Sequence, residues 1–155
     1  MIDWQLDSYG ILTLTFNVAD RPMNVLNQAS IEAFGAAIDK AIREDAVKGV
    51  VITSSRPEFV AGGDLDLIRV IRTPEESMAC SGPISRVLRS LEKSGKPFVA
   101  AINGSALGGG LEICLACHRR IVADDPKIQL GLPEVTLGLL PAAGGTQRLP
   151  RMIGV

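Results

Sequence analysis

With one histidine, three cysteines and no excess of charge of either sign, this 155-residue chain lacks the marks of several large protein classes. There are 16 basic and 17 acidic residues, a net charge of −1. The basic surplus of a general nucleic-acid binder is therefore missing. Three cysteines in this length do not make a disulfide scaffold and fit a reducing compartment better. No stretch approaches the roughly 18 apolar residues of a membrane span. The opening Met1-Ile2-Asp3-Trp4-Gln5-Leu6-Asp7 has no basic leader and no long apolar run. Neither G-x-G-x-x-G nor a Walker A sequence occurs. The expectation is a cytoplasmic protein with no membrane span and no nucleic-acid partner.

What is present suits a folded core. Hydrophobic residues make up 46% of the chain and mean hydropathy is +0.25, enough for one core-bearing domain. Alternation with Thr13 and Thr15 predicts a strand over 11–16. Asp20-Arg21-Pro22 reads as a loop. Ile31, Phe34, Ile38, Ala41 and Ile42 share a face of a helix expected from Ser30, as N-cap, to Asp45. A β-branched run predicts a buried strand over 49–53, and 54–66 reads as a loop. Thr73-Pro74-Glu75-Glu76 has the capping-box pattern with Pro at the first helical position. Gly82-Pro83 is expected to interrupt the helix it starts, before a second amphipathic stretch bearing Ile84, Val87, Leu88 and Leu91. Further elements are a strand over 98–102 turned by Asn103-Gly104, a helix from Gly108 to Cys117, and a strand near 121–123. From Gly131 onward the chain is Gly- and Pro-rich and apolar. Strands alternating with helices favour an α/β fold with mostly parallel pairing.

The strongest local feature is Asn103-Gly104-Ser105-Ala106-Leu107-Gly108-Gly109-Gly110-Leu111-Glu112, which runs from strand into helix. Glycine in a helix costs roughly 1 kcal/mol against alanine, so three in a row call for an offsetting reason. One is a ligand approaching bare N–H groups at a helix N-terminus, where developing negative charge is favoured. The other is tight packing of helix on strand. Glu112 lies among Leu111, Ile113, Cys114, Leu115 and Ala116. In such surroundings a carboxylate resists ionising and its pKa rises toward the range useful for acid–base work. It is three residues beyond Gly109, on the same helical face. A place on the solvated side of the helix is the plainer alternative. Glu134, in Leu132-Pro133-Glu134-Val135, is a second carboxylate with apolar neighbours, and two such groups can divide the roles of acid and base. The loop Phe59-Val60-Ala61-Gly62-Gly63-Asp64 offers further free amides or a simple strand-exit turn.

Cys114-Leu115-Ala116-Cys117-His118 matches C-x-x-C-H, the c-type haem attachment pattern. Haem attachment expects an exported chain, and zinc needs about four ligands, while His118 is the only histidine. The cysteines read instead as small apolar residues facing the core, and no metal site is expected.

Taken jointly, these stretches resemble the enoyl-CoA hydratase/isomerase (crotonase) family. The resemblance rests on Arg21-Pro22-Met23-Asn24-Val25-Leu26, on 59–65, on 101–112, and on Gly131-Leu132-Pro133-Glu134 through the segment 141–149, in the family's order and spacing. Residues 116–120 and 124–127 look most like the hydratase region of the multifunctional fatty-acid-oxidation α subunit. The resemblance implies a crotonase-like ββα superhelix. Residues 1–155 would form the N-terminal core of such a hydratase domain, incomplete and without its C-terminal helices.

The resemblance also implies an acyl-CoA thioester as substrate. Gly63 and Gly109 match the family's oxyanion-hole amides, and Glu112 and Glu134 match its catalytic glutamates. Met23, Ala61, Asp64, Leu65 and Gly108 match substrate-binding positions. Asp66 stands where many relatives carry Lys, and Ala142 replaces a glycine. Water would add across the C2=C3 bond of a trans-2-enoyl-CoA, or the same pair would shift a double bond, with no cofactor beyond the coenzyme A of the substrate. A homo-oligomer of the family's trimer type, or a place in a β-oxidation complex, is the implied assembly. Two other expectations stand beside this one: a catalytically silent fragment that binds acyl-CoA or subunits only, and another crotonase reaction such as thioester hydrolysis. Little hydratase activity is expected of residues 1–155 alone, with the segment from Gly131 self-associating or disordered.

Overall fold

The computed structural model describes residues 1–19 and 21–154. Five strands make the main sheet: β1 (Ile2–Leu6), β2 (Ile11–Phe16), β3 (Gly49–Ser54), β4 (Phe98–Ile102) and β6 (Arg119–Val122), in the order β1-β2-β3-β4-β6. β1 pairs antiparallel with β2 and every later pairing is parallel. The α/β expectation with mostly parallel pairing holds. Along β2 the alternation is plain: Leu12, Leu14 and Phe16 are fully buried while Thr13 and Thr15 are half-buried.

Helix α1 (Gln28–Arg43) buries Ile31, Phe34, Ile38 and Ala41, as its periodicity predicts. Its N-cap is Asn27, not Ser30. Ser30 sits three residues on as the reciprocal partner in a capping box. Helix α3 (Pro74–Lys93) starts at Thr73 with the expected capping box, but Gly82-Pro83 does not interrupt it. Proline inside a helix costs roughly 3 kcal/mol. The later turns bury Ile84, Leu88 and Leu91, each worth about 1.5–3 kcal/mol. Packing outweighs the break, and α3 runs continuously against α1. Helix α4 (Gly109–Ala116) is buried from Gly110 to Ala116, as a helix apolar on every side but for Glu112 must be.

Several elements lie where the sequence signals none. They are β1, the short α2 (Leu65–Ile68), β5 (Ala106–Leu107), β7 (Leu130–Gly131), a 3₁₀ turn over Pro133–Leu137 and α5 (Gly145–Ile153). β6 begins at Arg119, two residues before the expected strand. The segment from Gly131 is ordered structure through Gly154, which corrects the disordered alternative; Val155 lies outside the described residues. So does Asp20 of the expected loop, whose Arg21 and Pro22 are exposed bends.

The unexpected short strands matter because they form a second parallel layer. β5 pairs with β7, Val60 bridges Ala106, and Gly63 bridges Leu26. Asn24, fully buried, ties this layer to the first. Its Nδ2 donates to the Phe16 and Phe59 carbonyls and to Ser54 Oγ, and its Oδ1 accepts from the Val18 amide. Its own carbonyl accepts from the Ala61 amide at 2.9 Å.

Asn24→Ala would strand several of these buried groups, and each unsatisfied group costs about 1–3 kcal/mol. We expect a loss of about 3 kcal/mol in urea unfolding. A loss below about 1 kcal/mol would show that water or local movement satisfies them as well as the amide does.

Candidate active site

The second layer delivers two chain segments to one place. Leu26 N–H donates to the Gly62 carbonyl at 2.8 Å, and Asp64 N–H donates to the Leu26 carbonyl at 3.0 Å. These bonds straddle Gly63, whose amide has no hydrogen-bond acceptor among the described residues. The other segment enters α4. Glu112 N–H makes the helix's first bond, to the Gly108 carbonyl at 3.0 Å, leaving the Gly109 amide free at the N-terminus. A methyl built on Gly109 would lie 3.9 Å from the Gly63 nitrogen, so the two free amides are neighbours. Both glycines border a cavity of about 470 Å³.

Glycine is required here by space as well as backbone. Gly108 has φ +52, and a Cβ on it would come within 2.8 Å of Glu134 Oε1. A Cβ on Gly110 would fall on the Val60 carbonyl oxygen. Of the two reasons offered for the glycine run, tight packing therefore operates, and it leaves the amide of Gly109 exposed to the cavity.

Glu112 is only 3% exposed, which overturns the alternative of a solvated helix face. Its Oε1 accepts from the amides of Ala143 at 2.8 Å and Gly145 at 2.7 Å. Burial pushes its carboxyl above the ordinary range. The two amides pull it back, Glu134 adds to the rise, and Arg148 opposes it. Glu134 reaches the same cavity from the 3₁₀ turn, and its Oε2 is buried with no protein partner among the described residues. All four expected catalytic positions, Gly63, Gly109, Glu112 and Glu134, thus border one cavity. Its other walls are mostly apolar, with Leu26, Ile31, Ile68 and Ile84 among them, and Ser77 and Ser81 on the α3 side.

The expected substrate-binding positions divide differently. Met23 and Leu65 are exposed, Ala61 is half-buried, and none of the three borders the cavity. Asp64 caps α2 through Asp66 N–H and pairs with Arg21 at 3.0 Å. Gly108 supplies the turn rather than a wall. Asp66 pairs with Arg69 on the surface. Ala142 borders the cavity, but the amides that hold Glu112 are those of Ala143 and Gly145. That pair went unrecognised, because nothing in the sequence signals which amides of an apolar Gly-rich stretch face inward.

Cys114 and Cys117 lie in the core, where burial pushes both thiols up, Cys117 to about 12. Cys114 Sγ donates to the Gly110 carbonyl, and His118 Nδ1 accepts from the Phe98 amide. Among the described residues no group of three or more His, Cys, Asp or Glu side chains is placed to hold a metal ion. No helix among them is long and apolar enough to cross a membrane.

The raised Glu112 carboxyl carries a pH signature. The folded state binds this proton more tightly than the unfolded chain does, so the group's contribution to stability is fully present below 4.5, its ordinary value. That contribution is lost as pH rises through the folded value. Glu112→Gln removes the titration and keeps an oxygen for both amides. We expect the stability of Glu112→Gln relative to wild type to climb across that window and then level off. Denaturation at a series of pH values checks it; a flat or falling difference contradicts the assigned direction.

Comparison with known proteins follows the same lines. The chain is 42% identical to the fatty acid oxidation complex subunit alpha of Idiomarina loihiensis over 147 residues, 94% of this chain and 21% of that protein. Among solved structures, enoyl-CoA hydratase from Bacillus anthracis superposes with a TM-score of 0.88 at 36% identity, covering 99% of this chain and 58% of that one. Pseudomonas aeruginosa DspI gives 0.88 at 32% identity, covering 99% and 61%. The chain therefore spans about a fifth of the first relative and about three-fifths of the other two. The α/β architecture is that of the crotonase-fold hydratases. With residues 7–155 matching enoyl-CoA hydratase/isomerase, the chain belongs to that family.

Proposed function

We propose that this chain carries the chemistry of an enoyl-CoA hydratase of fatty-acid β-oxidation. The observation that supports this best is the meeting of two free amides and two carboxylates in one apolar-walled cavity. A trans-2-enoyl thioester would place its carbonyl oxygen between the amides of Gly63 and Gly109. Negative charge grows on that oxygen during addition, and two preset N–H groups favour it without reorganisation. Glu112 takes a proton from water as the water oxygen bonds to C3, and Glu134 delivers a proton to C2. The carboxyls then return to their starting states by proton exchange with solvent. Atoms balance, and the scheme calls on no metal or cofactor other than the substrate's coenzyme A.

Each glutamate suits its part. Glu112 is fixed by two amides on one oxygen, which leaves Oε2 for water. Glu134 lines the same cavity, and its buried Oε2 has no protein partner among the described residues. Moving a proton along an enoyl chain needs only one such base facing the amides, so double-bond isomerisation is a second activity of the same pair. Outside the cavity, Met23, Ala61, Asp64 and Leu65 would lie along the path of the coenzyme A portion, and Gly108 would set the turn into α4. Assembly into a trimer-type oligomer or a β-oxidation complex belongs to the same proposal, as the name of the Idiomarina relative suggests for that protein.

Hydration of a short trans-2-enoyl-CoA by a version extended through the family's C-terminal helices, followed as loss of conjugated thioester absorbance, tests the roles. Glu112→Gln and Glu134→Gln should each lower the rate by roughly 10²–10⁴. Near-normal turnover in either removes that residue from the mechanism. If Glu112→Gln loses hydration and retains double-bond shift, Glu134 is the isomerase base.

Gly109→Pro removes one amide donor at a position where proline suits a helix start. We expect a loss of roughly 10²–10³ in kcat. Circular dichroism must accompany the rate, because a Cβ there would crowd Leu26 Cδ1 at 2.8 Å. A folded Gly109→Pro protein that hydrates normally would place the oxyanion elsewhere.

A further inference from the structure

We infer that Arg148, held by Glu92, is a positioning residue that sets the Ala143–Gly145 loop against the Glu112 carboxylate. The inference rests on the hydratase role proposed for Glu112. Arg148 Nε and Nη2 grip the Glu92 carboxylate at 2.6 and 3.0 Å, a two-pronged pair linking α5 to α3. The remaining prong, Nη1, donates to the Ala143 carbonyl at 2.7 Å. The amides of Ala143 and Gly145 in turn hold Glu112 Oε1. One guanidinium therefore joins the long helix α3 to the oxygen that orients the proposed base, through a single loop residue.

The loop needs an external tie. Gly144 takes a left-handed conformation at φ +101 and caps α5 with no side-chain bond. Besides Arg148, the neighbouring tie is Ser85 Oγ on the Ala142 carbonyl at 3.2 Å, also from α3. Arg148 is suited to its place because its planar fork can satisfy a carboxylate and a carbonyl at once. Lysine, as a point charge, cannot.

The charged groups around Glu112 are Glu134 from the 3₁₀ turn and Arg148 from α5. Arg148 faces Glu92, which also pairs with Arg89 at 3.1 Å. Removing the guanidinium acts twice in one direction. The positive charge that favours ionised Glu112 is lost, and the amides that favour it are loosened. A pair that merely stapled α5 to α3 would move the titration of Glu112 by the lost charge alone, equally in every neutral replacement of Arg148.

The test compares Arg148→Met and Arg148→Gln with the wild-type chain. The Glu112 carboxyl is followed by carbon-13 NMR with labelled glutamate, its signal assigned from Glu112→Gln. The same substitutions, placed in a version extended through the family's C-terminal helices, are assayed for the pH dependence of enoyl-CoA hydration. We expect the Glu112 titration and the acid limb of kcat to move together to higher pH. The maximum of kcat should fall on the order of 10–100-fold, with a smaller change in KM, as misplacement of a reacting group does. Folded variants whose Glu112 titration stays at the wild-type position, or shifts equally in Arg148→Met and in Arg148→Gln, which keeps a donor for Ala143, overturn the inference, whatever their rate. If Arg148→Met does not fold, Arg148→Ala takes its place as the neutral replacement without a donor for Ala143. Failure of a version extended through the family's C-terminal helices to hydrate enoyl-CoA refutes the proposed function, while the titration in residues 1–155 still decides this inference.

Discussion

The structure turns on backbone approaching backbone without side chains between. The Val60 carbonyl accepts from Leu107 N–H at 3.2 Å and occupies the space where a Cβ of Gly110 would be. A Cβ on Gly62 would likewise stand 3.0 Å from the Leu107 carbonyl oxygen. Two loops from distant parts of the sequence thus touch along their main chains. Their free N–H groups point into one cavity because no side chain separates them. Replace either glycine and the loops must part, and with them the amides. The entropy that glycine costs on folding is offset by a geometry that other residues cannot reach.

That contact is held from behind by Asn24. Its amide satisfies carbonyls on both sides of the join, Phe16 from the main sheet and Phe59 from the loop. A buried polar network of this kind is stabilising only when every member is paired, and here Val18, Ser54 and Ala61 complete it. An apolar residue of similar size would fill the volume and leave the loop ends unpaired. The second parallel layer, built from single bridges and two-residue strands, has few ladder bonds of its own. It owes its position to this side chain.

How far the sequence could be read depends on how local each signal is. The periodicity of Ile31, Phe34, Ile38 and Ala41, and the capping box at Thr73, are written within a few residues, and both appear as expected. Glu112 among apolar residues pointed to burial and a raised pKa, but a solvated face stayed open until the fold buried it. Signals that depend on distant chain were silent. Two-residue strands such as β5 have no period to detect, and β1 is strand only because β2 offers it an edge. Pro83 misled because its local cost is visible while the burial of Ile84, Leu88 and Leu91 that offsets it is tertiary. Ala143 and Gly145 could not be singled out, since an amide's partner is fixed by the fold and not by the residue that bears it.

The electrostatics of Glu112 explain why so much structure converges on one carboxylate. Burial alone would keep it protonated and useless as a base. Two amides alone, as at a helix N-terminus, would hold it ionised and weakly basic. The structure applies both, and adds Glu134 on one side and Arg148 on the other. Burial is the largest influence, so the carboxyl sits above its ordinary range, where a carboxylate is a better proton acceptor. The balance is sensitive to placement, because an amide contact is lost within an ångström or so of movement, while desolvation changes little over that distance. A buried base of this kind therefore needs its donors fixed more firmly than its apolar walls. In this fold the donors sit on a loop with no cap of its own, tied by Arg148 and Ser85 to the longest helix, α3.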